Sequence, residues 1–214
     1  MKKIYSILLL SLLLLSFSLS LSSCAKLDTT GLLDAAPDLI ARSARLNEIY
    51  YGEGIPYNED EAPIGNYYEA DKEYLREAGF STVTELKKLT TEVFSAEYSN
   101  ILFKTNLSGF AVDGSGYTYA RYASSQAEAL RDEKETILVY VGEGIQNPYL
   151  LGESTYDYST LSMGKVGRDY AELTLSVHTI YPVCETYPEG HETTITMTVR
   201  FVYEDGWRID SPTY

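Results

Sequence analysis

The hydrophobic period of this 214-residue chain changes once, near residue 100, and that change limits the fold more than any other feature. Before it, apolar residues recur every three to four positions, as on one face of a helix. After it they alternate, as on half-buried strands. Helices first and antiparallel strands afterwards make an α+β layout.

Residues 37–51 read as the first helix. Pro37 suits a first helical position, Leu39, Ile40, Leu46, Ile49 and Tyr50 form the apolar stripe, and Gly52 suits its end. A second helix is expected from Asn66, with Glu69 three residues on, Tyr67, Ala70, Tyr74 and Ala78 on one face, and Gly79 as terminator. Thr82-Val83-Thr84-Glu85 is a capping-box signature that opens a third. Its buried stripe is Val83, Leu86, Thr90, Val93 and Phe94, with Lys87, Lys88 and Thr91 turned away.

Strands are expected at 117–123, 136–141, 156–163 and 171–180, with a polar link over 124–134. In 171–180, Leu173, Leu175 and Val177 face one way, and Thr174, Ser176 and His178 the other. The last pair specifies its own register. A two-residue turn puts Trp207 and Ile209 on the face opposite Phe201 and Tyr203. A three-residue loop, Glu204-Asp205-Gly206, pairs Tyr203 with Trp207 and Phe201 with Ile209, and sets Arg200 opposite Asp210. A one-residue slip inverts every side chain, so the apolar pattern selects the second register, with Gly206 in the left-handed position of a G1 bulge.

The front of the chain is a targeting signal. Met1-Lys2-Lys3 precedes a long apolar run that stops at Leu21-Ser22-Ser23-Cys24. The run is long enough for a membrane span, but its serines and its abrupt stop argue for a cleaved signal. Leu21–Cys24 resembles the lipobox of bacterial lipoproteins. That resemblance implies cleavage before Cys24 and diacylglycerol on its thiol, two acyl chains making a stable anchor where one does not. The expected organisation is a signal peptide at 1–23, a lipidated cysteine and tether at 24–36, and one α+β domain at 37–214.

The chain carries 17 basic and 31 acidic residues. Removing Lys2 and Lys3 with the signal leaves 15 against 31, a net charge near −16. Such a surface repels nucleic acid, which is not expected as a partner. With Cys24 lipidated, Cys184 has no second cysteine to pair with and reads as a small apolar residue.

Motifs for chemistry are incomplete. His191-Glu192-Thr193-Thr194-Ile195 lacks the second histidine of a zinc helix and lies on a strand pattern. Asp113-Gly114-Ser115-Gly116 has too few acids for a calcium loop, and Asn58-Glu59-Asp60-Glu61 reads as a solvated loop. Ser162-Met163-Gly164-Lys165 matches S-x-x-K but lies in a strand-to-turn segment. No metal, cofactor or catalytic set is expected. Twenty tyrosines stand out. Tyr67, Tyr74 and Tyr203 fit buried stripes, whereas Tyr51, Tyr57, Tyr149, Tyr181 and Tyr187 fall where a binding rim would lie.

Three leading helices, an antiparallel sheet and the terminal Gly206-Trp207-Arg208-Ile209-Asp210 hairpin resemble the NTF2-like (cystatin-like) α+β cone over residues 37–211. The lipobox, the stretch from Ser81 to Phe103 and the all-β remainder also resemble secreted inhibitors of cell-wall DL-endopeptidases. The expectation is a lipid-anchored extracytoplasmic binding protein of the bacterial cell envelope, at the cell membrane. Its partners would be the membrane, through its anchor, and a cell-wall enzyme or wall polymer. His178 joins the rim tyrosines as a candidate binding residue. Two alternatives stay open: an inhibitor of wall endopeptidases, and a small-molecule lyase or isomerase using the cone, which the NTF2-like resemblance implies and for which this sequence offers His178 as base.

Overall fold

A computed structural model describes residues 26–60, 62–108, 110–112, 116–118, 120–125, 136–141, 152–183 and 187–213. The expected signal with Cys24, all but the first two residues of the link expected at 124–134, Tyr149, Cys184 and residues 113–115 lie outside the described residues. Among the described residues no helix is long and apolar enough to cross a membrane.

The first helix, α1, runs Leu32–Tyr51. It opens five residues before Pro37, which lies inside it and lacks the N–H that would meet the Leu33 carbonyl. Burial explains the longer helix. Leu32 and Ala36 have no exposure and continue the stripe of Leu39, Ile40, Ser43, Leu46, Asn47, Ile49 and Tyr50. The expected tether is also drawn in. Leu27 N–H donates to the Gly167 carbonyl at 3.1 Å, and Trp207 Nε1 donates to the Thr30 carbonyl at 3.3 Å.

The helix expected from Asn66 is replaced in its first half by strand β1, Tyr67–Glu69. Its backbone pairs with Ile137–Tyr140, strand β5, so a distant segment outcompetes the local pattern. The helix itself, α2, is Lys72–Ala78, capped by Asp71, whose carboxylate accepts from Tyr74 N–H, and closed by Gly79 in the left-handed conformation. Helix α3, Val83–Val93, follows its signature: Thr82 Oγ1 accepts from Glu85 N–H at 3.1 Å. The Glu85 carboxylate reaches back to Ser81 rather than Thr82, accepting from its N–H and Oγ at 2.7 Å. These bonds hold its pKa below the usual value. Val83, Leu86, Thr90, Val93 and Phe94 are all buried. A fourth helix, α4, Ala96–Asn106, follows Ser95, which accepts from Tyr98 N–H.

The segment expected as one strand at 117–123 is two. β3, Gly116–Thr118, pairs with β2, Phe110–Val112, and β4, Tyr122–Ser124, pairs with β5. The long sheet holds β6 (Glu153–Val166), β7 (Ala171–Tyr181), β8 (His191–Tyr203) and β9 (Trp207–Ile209), in that order and all antiparallel. The hairpin has the register the apolar pattern selects: Tyr203 opposite Trp207, Phe201 opposite Ile209, and Asp210 N–H donating to the Arg200 carbonyl at 2.8 Å. The turn takes positive φ at both Asp205, 52°, and Gly206, 137°. Tyr203 does not join the core. It is 60 % exposed, its ring edge-on to Trp207.

The small sheet holds the end of α1. Arg121 donates to the carbonyls of Tyr50 and Gly52, at 2.9 and 2.6 Å, and Tyr122 Oη donates to the Ile49 carbonyl at 2.6 Å. These carbonyls have no helical donor, and the guanidinium also opposes the negative end of the helix dipole. Tyr122 is fully buried and accepts from Ile55 N–H, and desolvation pushes its pKa up to about 12. We expect Arg121→Met to lower unfolding free energy by about 2 kcal/mol in urea titrations, the scale of charge-assisted bonds lost at a partly buried site. A loss under about 0.5 kcal/mol would mean that water serves these carbonyls equally well.

The raised pKa of Tyr122 also sets a direction with pH. The unfolded chain releases this proton near pH 10 and the folded chain only near 12, so its contribution is whole below pH 10 and falls as pH rises through 12. Urea midpoints measured over that window should fall less steeply for Tyr122→Phe than for the unmodified chain, and equal slopes would refute the assignment.

Candidate functional site

The alternation along β8 continues beyond the part that the helices cover. Ile195, Met197, Val199, Phe201 and Tyr203 share a face, yet only Val199 and Phe201 are buried. Ile195 is 53 % exposed. The strands are longer than the helical layer, so the sheet overhangs α1. The overhang and the C-terminal half of α1 enclose a groove of about 550 Å³.

Val177 and Thr179 of β7, Ile195 and Met197 of β8, and Tyr156 of β6 make its floor. Arg45, Asn47 and Glu48 make the helical wall. Gly152 lets the chain enter β6 close against β7: a Cβ there would lie 2.4 Å from Thr179 Cγ2 and 2.9 Å from the Ile180 carbonyl. Arg45 and Glu48 also line a second groove of about 320 Å³ on the other flank of α1, over Leu46, Ile49, Phe80 and Val93.

The inner end of the main groove is closed by a polar clasp on the C-terminal tail. Ser43 Oγ donates to the Ile40 carbonyl at 2.7 Å, so its proton is committed. Thr213 Oγ1, 2.7 Å away, must therefore donate to Ser43. Thr213 is then left as acceptor for Asn47 Nδ2 at 2.8 Å. This chain orients the Asn47 amide, and its Oδ1 is buried without a partner. Tyr156 Oη donates to the Thr213 carbonyl at 3.1 Å, and Tyr156 has a pKa raised by burial.

Two of the expected rim tyrosines meet here. Tyr181 lines the groove, and Tyr187 lies with its ring centroid 5.1 Å away. His191 completes the group, stacked on Tyr187 at 5.0 Å and on Tyr181 at 6.0 Å. The sequence pattern does not mark His191 as a rim residue. Its place across the hairpin from Tyr181 follows from the β7–β8 register.

Tyr51 and Tyr57 do not join this group. Tyr51 ends α1 and packs on the core, while Tyr57 sits against Tyr68, with ring centroids 5.3 Å apart, and bridges to Ala70. Tyr149 and Cys24 lie outside the described residues. His178 is on the opposite face of the sheet from the groove, its Nδ1 3.0 Å from Thr194 Oγ1. Ser162 and Lys165 are also apart in role: Ser162 Oγ meets Thr174 Oγ1, and Lys165 Nζ lies 5.5 Å from the centre of the Tyr170 ring. Among the described residues no group of three or more His, Cys, Asp or Glu side chains is placed to hold a metal.

The groove offers an apolar floor, hydroxyls from Thr179 and Thr193, charges of both signs on α1 and an aromatic end. That set suits a ligand with an apolar body and polar ends. The clasp makes a stability prediction. Thr213→Val strands the Asn47 amide and should cost about 1–3 kcal/mol in chemical unfolding. Asn47→Leu removes the orphaned acceptor together with its amide and should cost less than Thr213→Val. The reverse order would contradict the donor directions. No protein-family model, no curated protein and no solved structure matches this chain.

Proposed function

We propose that this chain is a non-catalytic binding protein of the bacterial cell envelope, held on the extracytoplasmic face of the membrane by diacylglycerol on Cys24. It takes a wall component or a wall-associated protein into the groove between α1 and the long sheet. The observation that carries this reading is the groove itself: an apolar sheet face left uncovered next to a helical wall bearing Arg45 and Glu48, with a tyrosine-histidine stack at its end. Anchoring rests on the lipobox-like Leu21-Ser22-Ser23-Cys24 at the end of the apolar run. In the finer fold reading, α1 lying across the inner face of a long sheet with bulges is the NTF2-like cone, and the groove is its mouth.

Net charge favours one form of the reading. A chain at −14 is suited to a basic partner, so inhibition of a cell-wall DL-endopeptidase is its most specific version. A lyase or isomerase using His178 has less support, because that imidazole lies on the face away from the groove.

Purified peptidoglycan and a purified wall DL-endopeptidase, each offered to the full chain at low and moderate salt, test the proposal. We expect saturable retention of one of them. Met197→Lys, in the groove floor, should weaken it at least about tenfold, a buried charge being costly, while Thr174→Lys on the outer face leaves it unchanged. Retention of neither, or equal sensitivity to both substitutions, would overturn the reading. Salt-weakened retention of the enzyme with loss of its activity would select the inhibitor form.

A further inference from the structure

The long sheet has two edges of different construction. Along β6 the pairing with β7 breaks twice, between Asp157 and Ser162 and between Met163 and Val166. At the first break a side chain replaces the ladder, Thr160 Oγ1 accepting from Ser176 N–H at 2.8 Å. Asp157 and Lys165 add charge. Bulges and charges of this kind keep an edge from pairing with another strand.

Among the described residues the other edge has no such protection. β9 covers β8 only at Phe201–Tyr203, and Asp210 and Ser211 extend that cover to Arg200. From Glu192 to Val199 no described residue pairs with the outer side of β8. The stretch Thr193-Thr194-Ile195-Thr196-Met197-Thr198-Val199 holds no charge, proline or glycine, and its register with β7 is unbroken. Backbone direction follows from two bonds at Arg200. Arg200 N–H and C=O both point outward, to Ser211 Oγ and Asp210 N–H. In an antiparallel ladder that direction repeats every second residue. The N–H and C=O of Glu192, Thr194, Thr196 and Thr198 therefore point off the edge.

We infer that Glu192–Thr198 is a homotypic docking edge, through which two copies of this chain join antiparallel about a two-fold axis at Ile195. The free segment sets this centre. It is bounded on one side by Arg200, whose outward groups are already bonded, and on the other by Gly190, where φ of 77° turns the strand away. Ile195 is its midpoint. In this register Thr194 pairs with Thr196 of the second copy and Glu192 with Thr198 of the second copy, so no like charges are opposed. About eight main-chain hydrogen bonds form. A register centred on Thr196 instead sets Glu192 against Arg200, where Asp210 and Ser211 leave no room. The axis also lays Ile195 against Ile195 of the second copy, covering a side chain that is 53 % exposed. Because Thr193, Ile195 and Met197 line the groove, the second copy extends its floor across the axis.

Cysteine cross-linking in the full-length chain tests this. Ile195 would form a non-hydrogen-bonded antiparallel pair with itself, with Cα atoms about 4.5 Å apart, within the range a disulfide spans. We expect Ile195→Cys to give, on mild oxidation, a disulfide-linked dimer at least about tenfold more abundant than Tyr203→Cys does, a comparably exposed position off the axis. Adding Thr196→Pro or Thr198→Pro deletes an outward N–H and leaves the β7 ladder intact, and should cut the yield about tenfold. Circular dichroism and Trp207 fluorescence check that these variants fold. The unmodified chain should also sediment as a dimer at high concentration. The inference fails if Ile195→Cys yields no more dimer than Tyr203→Cys, if folded proline variants cross-link undiminished, or if the unmodified chain sediments as a monomer.

Discussion

Helix α1 is the wall against which the other layers are built. Most of the stability of a helix in a protein comes from what its apolar face buries. That face reaches β9, α3 and β6, and each end is tied by groups far away in sequence. At the start, Trp207 donates to the Thr30 carbonyl just before the helix. At the end, Arg121 and Tyr122 take the carbonyls of Ile49, Tyr50 and Gly52. At the same end, Tyr50 Oη meets Thr90 Oγ1 at 2.7 Å, joining α1 to α3, and Thr90 Oγ1 in turn donates a hydrogen bond to the Leu86 carbonyl.

β9 is the second common element. Phe94, where α3 ends, bridges to Ile209, and Ser95 N–H donates to the Ile209 carbonyl at 2.8 Å. Ser95 Oγ and Asp210 form a further short hydrogen bond, and Asp210 lies 3.3 Å from Arg200 Nε. The short turn between α3 and α4 is thereby pinned to the last strand. Arg200 also lies 4.3 Å from the centre of the Tyr170 ring, which holds the β6–β7 turn to β8. The helical layer is thus fixed over one end of the sheet, and the other end overhangs. The groove results from that offset, and the edge of β8 that no described residue pairs results from the shortness of β9.

Where neighbours in sequence compete only with solvent, the pattern was legible. Thr82 and the stripe from Val83 to Phe94 are one case, because the cap bond is local and helix periodicity places all five residues on one side. The hairpin register is another. Period two and a short loop leave few pairings, and only one put Phe201, Trp207 and Ile209 together. Tyr67–Glu69 carries a helical pattern yet forms a strand, because its partner, Ile137–Tyr140, lies some seventy residues on and no local signal announces it. Tyr203 followed the correct alternation, but lies where no layer covers it. Of the site, Tyr181 and Tyr187 are legible in the sequence as rim residues, while Asn47, Thr213 and His191 are not. Their roles depend on which strand ends and tail residues arrive together, and periodicity carries no such information.

By itself the sequence determined the α+β class with its run of strands after residue 106, the capped helix at Val83–Val93, the terminal register, the acidic composition and the lipobox-like motif before Cys24. These follow from local hydrogen bonding, side-chain period and composition, which act over a few residues. The tertiary structure alone decided how far α1 extends, that Tyr67–Glu69 is a strand, which apolar residues of β8 stay uncovered, and that Asn47 is left with an orphaned acceptor. Those outcomes depend on the relative lengths of layers packed from distant parts of the chain, since burial and pairing are settled by what meets in space.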